Sequence, residues 1–196
     1  MGDSKRMDRN SKTIRLYSAQ DMPVLDAIRK NGVSFSKATY VQRKYGESAP
    51  VFMTAYTWFV QKTEALVPKP AGAEFPYWAF PLLSQVDLSS DRLLVLDVPI
   101  DQVLFFNMYD WIKILQLSYL GENEKEEKAF QESLSLRGVT STQVMLTPFY
   151  PDLKQEIFQS WERLFRHHEA LSEGRHLPEV TVQTALWQIK KEWIID

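Results

Sequence analysis

The chain has no cysteine among its 196 residues, which excludes disulfides, thiolate metal sites and a cysteine nucleophile together. Glycine is scarce: seven residues, scattered singly. No glycine-rich phosphate loop and no Gly-x-Ser-x-Gly nucleophile elbow is present. Histidine is rarer still, at three. His167 and His168 are adjacent, so on a helix they diverge by about 100° and do not face one metal together. His176 lies in a polar stretch. No metal site is expected.

Charge of one sign is missing too. The formal net charge of −2 gives no general attraction to nucleic acid or to an anionic membrane. No apolar run approaches the roughly 20 residues a membrane helix needs. Residues 1–12 are polar without an apolar core, so no secretory signal is expected there. Arg6 stands where myristoylation asks for Ser or Thr. The expectation is a cytoplasmic protein without membrane contact, with residues 1–12 as a disordered tail.

What is present in quantity is aromatic: 13% of the chain, with six Trp and eleven Phe. Large rings bury much area and often bring a polar edge that needs a partner. They make either an aromatic core or the lining of a pocket for a flat ligand, and composition favours the core.

Thr13 to Ala19 alternates as a strand does. Asp21 offers an N-cap, Pro23 suits a first helical turn, and Gly32 sits at the C′ position of the helix between them. Residues 33–47 show no clear period and read as a loop. Ser48 is placed to cap a second helix whose Phe52, Ala55, Tyr56 and Phe59 share a face, ending before Pro68. Phe75 to Phe80, bracketed by prolines, reads as a brief or edge strand. Leu93 to Val98 and Val103 to Phe106 read as strands, with a helix over about 110–120. Residues 121–142 are charge-dense and read as a solvated helix or mobile insertion.

Gln143 to Leu146 reads as a short strand. Asp152 with Gln155 resembles a capping box before a helix carrying Leu153, Ile157, Trp161 and Leu164. Residues 171–178 read as a polar connector, and Val180 to Ile189 as a last strand. Strands and helices interleave without a βαβ rhythm. The expected fold is therefore one α+β domain over 13–196, a mixed, curved, mainly antiparallel sheet with helices packed around it.

Several of these segments resemble a bacterial family catalogued only as a domain of unknown function. They are Leu16-Tyr17-Ser18-Ala19-Gln20, Ala55-Tyr56-Thr57-Trp58, Phe75-Pro76-Tyr77-Trp78-Ala79-Phe80, Leu96 to Leu104, Ser160-Trp161-Glu162-Arg163-Leu164-Phe165 and Val182 to Trp187. The resemblance departs at Trp111-Ile112, where the family pattern has Trp-His. It implies the fold and no established activity.

A looser resemblance of layout, to ADP-ribosyltransferases, implies a specific enzyme. Those enzymes set an Arg or His on a first strand, an aromatic or hydroxyl residue on a second, and a Glu or Gln on a late one. By that layout NAD is the substrate: Arg15 grips the dinucleotide, Tyr77 or Trp78 stacks the nicotinamide, and Gln183 is the catalytic residue that fixes the ribose. The target of modification is a protein or nucleic acid. Gln183 stands where a carboxylate is usual. The second reading is a non-enzymatic protein-interaction module in a phage- or stress-related system. Under it the same residues are scaffold, aromatic surfaces are the hot spots, and the charged segment from Glu122 to Glu132 is a partner-facing arm. The two part on whether Arg15, Tyr77 and Gln183 converge on one cleft.

Overall fold

The computed structural model describes residues 12–89 and 92–195, so residues 1–11 of the expected tail lie outside the described residues. In chain order the elements are β1 (Thr13–Gln20), α1 (Met22–Asn31), β2 (Val33–Ser34), α2 (Ala38–Tyr45), α3 (Ala49–Thr63), β3 (Tyr77–Ala79), β4 (Arg92–Pro99) and β5 (Leu104–Asn107). They continue as α4 (Met108–Leu115), α5 (Glu124–Leu136), α6 (Ser141–Leu146), α7 (Pro151–Trp161), α8 (His168–Ser172), β6 (Val182–Leu186) and β7 (Ile189–Lys190). This is an α+β fold. Among the described residues no helix is long and apolar enough to cross a membrane.

The strands form β1–β4 and β2–β7 pairs and a three-stranded sheet in the order β3-β6-β5. Every pairing among these strands is antiparallel. Reciprocal backbone bonds between Tyr17 and Phe80, at 2.8 and 2.9 Å, tie β1 to the end of β3. Side chains alternate across a strand, and the two faces bury different clusters. One face sends Leu104, Phe106 and Ala185, with Trp78, against Phe59, Trp111, Ile157 and Trp161 of the helices. The other sends Leu16, Leu96, Val98, Tyr77, Phe105 and Leu186 against Val24, Leu25 and Ile28 of α1.

The punctuation of α1 follows its sequence. The Asp21 side chain accepts from Val24 N at 3.4 Å, and Gly32 takes the left-handed C′ conformation at φ 75. Four other readings need correction. Residues 33–47 are not a loop but carry β2 and α2; α2 buries only Val41, too narrow a face to leave a period in the sequence. Gln143 to Leu146 is helix, not strand, because Thr140 and Gln143 make a reciprocal capping box at the start of α6. Ser48 makes no side-chain cap, since the turn over 46–48 runs straight into α3. Nor does Asp152 cap α7: that helix starts at Pro151 with Tyr150 before it, and Asp152 instead accepts from Arg137 at 2.7 Å.

Two more segments gain order from burial. The charge-dense stretch contains α5, which is anchored to the core by Phe130 and Leu134. Leu171, expected in a polar connector, lies in α8 and is buried. Helix α8 also closes the outer edge of β5, because His168 Nδ1 accepts the Phe105 backbone N–H at 3.2 Å. Only an unprotonated Nδ1 can accept that bond.

Burial holds the His168 pKa below the usual histidine value, against a smaller opposing pull from Glu169. A depressed folded pKa means that the unfolded chain binds the proton more readily. The bond's contribution is thus full above about 6.5, the unfolded value, and is lost as pH falls through the folded value. His168→Ala should cost about 1 kcal/mol at neutral pH. The gap in melting temperature to the parent chain should narrow on acidification, whereas a gap constant with pH would show that the ring does not titrate with folding.

Candidate functional site

Arg15 and Asp97 are direct cross-strand partners in the β1–β4 register. The guanidinium grips the carboxylate with two bonds, Nε to Oδ1 at 2.9 Å and Nη2 to Oδ2 at 3.2 Å. Both side chains are about half exposed. Their hydrogen bond and attraction lower the Asp97 pKa and raise that of Arg15. Exposed pairs of this kind contribute little to stability. Arg15→Ala should therefore leave the thermal midpoint within the scatter of ordinary surface substitutions; a large loss would mean that the pair braces the ribbon.

Tyr77 and Trp78 are neighbours on β3 and so point to opposite faces. Tyr77 is buried with the α1 cluster, and its hydroxyl shares a 2.8 Å hydrogen bond with Ser34 Oγ. Burial pushes that hydroxyl up to about 12. Trp78 turns the other way and donates its Nε1–H to the Tyr56 hydroxyl at 2.8 Å. Its ring is edged by Tyr56 and Phe59. Gln183 pairs with Phe106 across β5–β6 and is buried, with 6% of its surface exposed.

The expected site thus comes apart in a specific way. Trp78 and Gln183 share a sheet face, and the Tyr17–Phe80 bridge extends that face to Arg15. Tyr77 lies on the opposite face. Arg15 is exposed and occupied by Asp97, whereas Gln183 is enclosed. Arg15, Tyr77 and Gln183 do not converge on one cleft, because strand alternation separates the tyrosine from the other two.

A different set of residues does converge. Ser160 Oγ accepts the Leu120 N–H at 2.9 Å, and Trp161 Nε1 donates to the Ser118 carbonyl at 2.7 Å. Arg163 Nη1 donates to the Leu120 carbonyl, also at 2.7 Å. Three side chains of the Ser160-Trp161-Glu162-Arg163 segment therefore hold the backbone that follows α4. Arg163 Nη2 also meets Glu126 of α5 at 3.0 Å, and Tyr119 donates its hydroxyl proton to the same carboxylate. Those two partners and the Glu122 N–H keep the Glu126 pKa below the ordinary carboxylate value. A short polar segment can be recognisable in sequence for this reason alone: it satisfies main-chain groups that would otherwise be stranded.

A family model described as Domain of unknown function (DUF3841) matches residues 15–195. The chain belongs to the DUF3841 family. No curated protein and no solved structure matches it. The DUF3841 match runs through all four expected site residues and through the Ser160–Arg163 clamp. At the Trp111-Ile112 departure, Trp111 is buried in the aromatic core and Ile112 lies at 39% exposure on the outer side of α4. Among the described residues of this DUF3841 chain, no group of three or more His, Asp or Glu is arranged to hold a metal.

The surface carries a feature that periodicity had no means of flagging. Leu82, Leu83 and Leu88 are 58, 45 and 47% exposed, and Leu93 on β4 is 37% exposed. Phe80 lies at one edge of β1, where Tyr17 bridges it, and β4 begins at the other edge, where Gln20 pairs with Arg92. These leucines lie between those two points or at the start of β4. Leu82, Leu83 and Leu88 stand between the segments read as strands, where no period marks them, and Leu93 opens the strand read over 93–98.

Proposed function

We propose that this DUF3841 chain is a protein-interaction module and that its partner seats on the exposed leucines of residues 82–88 and on Leu93 of β4. The observation that carries the reading is the exposure of Leu82, Leu83, Leu88 and Leu93 within one short segment. Single exposed leucines are ordinary; exposed leucines concentrated in one short stretch are what a contact site supplies. The rigid pairing of β1 with β4 beside them supplies a platform that loses little entropy on binding.

The competing nucleotide reading, with NAD held by Arg15, Tyr77, Trp78 and Gln183, draws less support from where those residues lie. One preparation tests both. Leu82→Ser, Leu83→Ser and Leu88→Ser together should leave the circular dichroism spectrum and melting temperature unchanged, while a defined protein that copurifies with the parent chain is lost. An identical set of copurifying proteins from parent and variant would sink the interaction reading. NAD should leave the melting temperature of the parent chain unchanged. Stabilisation by NAD that disappears in Arg15→Ala would restore the transferase reading.

A further inference from the structure

The Ser160–Arg163 clamp fixes a turn that has a cost of its own. Leu117 follows α4 with φ at 56, and it is the only residue other than glycine with positive φ among the described residues. It occupies a place where glycine is the usual occupant. The turn is closed by Ser118 N–H to the Lys113 carbonyl at 3.0 Å, and Leu117 is held there by complete burial. Strain of this kind persists only where the surroundings impose it. Its consequence is local: the residues on either side, Gln116 and Ser118, both face a cleft of about 360 Å³ between α4 and α5.

The cleft is rich in donors. Lys113 and Gln116 come from α4 and its end, Lys128 and Gln131 from α5, and Ser118 and Ser141 from the turn after α4 and the start of α6. Tyr119 stacked on Phe130, with centroids 4.3 Å apart, adds an apolar flank. One carboxylate lines it, Glu127, and that group is already engaged by Lys113 at 2.6 Å and by the Gly121 N–H at 3.3 Å. Lys128 enters none of the ion pairs among the described residues. The lining therefore keeps one uncompensated positive charge, with amide and hydroxyl donors around it.

We infer that this cleft is a binding site for a small oxyanion ligand, one that carries a single carboxylate or phosphate group. The volume lies near the lower end of the range for small-molecule pockets, about 300–1,000 Å³, which suits a ligand smaller than a dinucleotide. Lys128 supplies the countercharge, and Gln116, Gln131 and the two serines supply neutral hydrogen bonds. The clamp and the strained turn hold the lining in place before the ligand arrives, which lowers the ordering cost of binding.

The test is a titration of the isotopically labelled full chain, followed by amide resonances. Sodium phosphate and sodium acetate are the two probes, each compared with sodium chloride at matched ionic strength. The expected result is saturable shifts at Gln116, Ser118, Lys128 and Gln131 with one or both oxyanions and none with chloride. Phosphate alone or acetate alone would identify which group the site takes. Lys128→Glu reverses an exposed charge that bears no structural bond, so the variant should fold normally and weaken the titration by about tenfold or more. Absence of saturable shifts with either probe, or shifts unchanged in Lys128→Glu, would overturn the assignment.

Discussion

Trp161→Ala should destabilise the chain by about 3–5 kcal/mol, the range for deleting a fully buried large aromatic side chain. Trp161 has no exposed surface, and two losses combine there. Its ring meets Trp58 edge-on at 5.3 Å and Phe158 at 5.2 Å, so truncation opens a cavity among aromatic groups. Its Nε1–H also satisfies the Ser118 carbonyl, which would lose that partner. Trp161→Phe separates the terms, since it keeps a ring and removes the hydrogen bond; it should cost clearly less than alanine. Equilibrium urea unfolding measures both, with a lowered midpoint at unchanged slope as the expected signature. Equal losses for the two variants would mean that the ring contributes nothing and would contradict the packing argument.

Phe59→Ala should fall in the same range, about 3–5 kcal/mol, through packing alone. Phe59 is fully buried. Its ring is edged by Trp78 at 5.5 Å, Phe106 at 5.7 Å, Trp111 at 5.2 Å and Phe165 at 5.6 Å. Such edge-to-face pairs contribute about 0.5–1.5 kcal/mol beyond area burial. Phe59→Leu fills most of the space without the ring edges and should lose markedly less than alanine in the same urea series. A cost for Phe59→Ala below about 1 kcal/mol would be that of a site able to collapse, contrary to the interlocked packing.

Where local chemistry and burial agree, the sequence is readable. Asp21, Pro23 and Gly32 mark both ends of α1 because a cap, a fixed φ and a left-handed residue are local requirements. Strand β1 was legible from alternation and β4 as a compact apolar run, but their pairing was not; burial alternates along β4. Helix α2 was not legible, since a helix that buries only Val41 has no apolar stripe to detect. At Gln143 the cap at Thr140 decided in favour of helix, although the apolar spacing alone allowed a strand.

The expected NAD site shows a different limit. Arg15, Tyr77, Trp78 and Gln183 fall in the right chain order, yet order does not fix the face. A shift of one position moves a strand residue to the other side of its sheet, and that parity is set by pairing partners far away in sequence. Tyr77 is committed to the α1 side by the pairing of Ala79 with Thr184 and of Tyr77 with Leu186. The Ser160–Arg163 clamp was visible as a family-like segment, but its role was not, because its partners are backbone atoms some 40 residues away.

The interaction reading meets its most direct test in site-specific photo-crosslinking. A photoreactive residue is placed at Leu83 in one preparation and at Lys125, on the exposed side of α5, in another. The expected result is a covalent adduct of one defined mass at position 83, suppressed by excess unlabelled chain and absent at position 125. No adduct at position 83, or the same adducts at both positions, would contradict the assignment of the exposed leucines of residues 82–88 as the partner's seat.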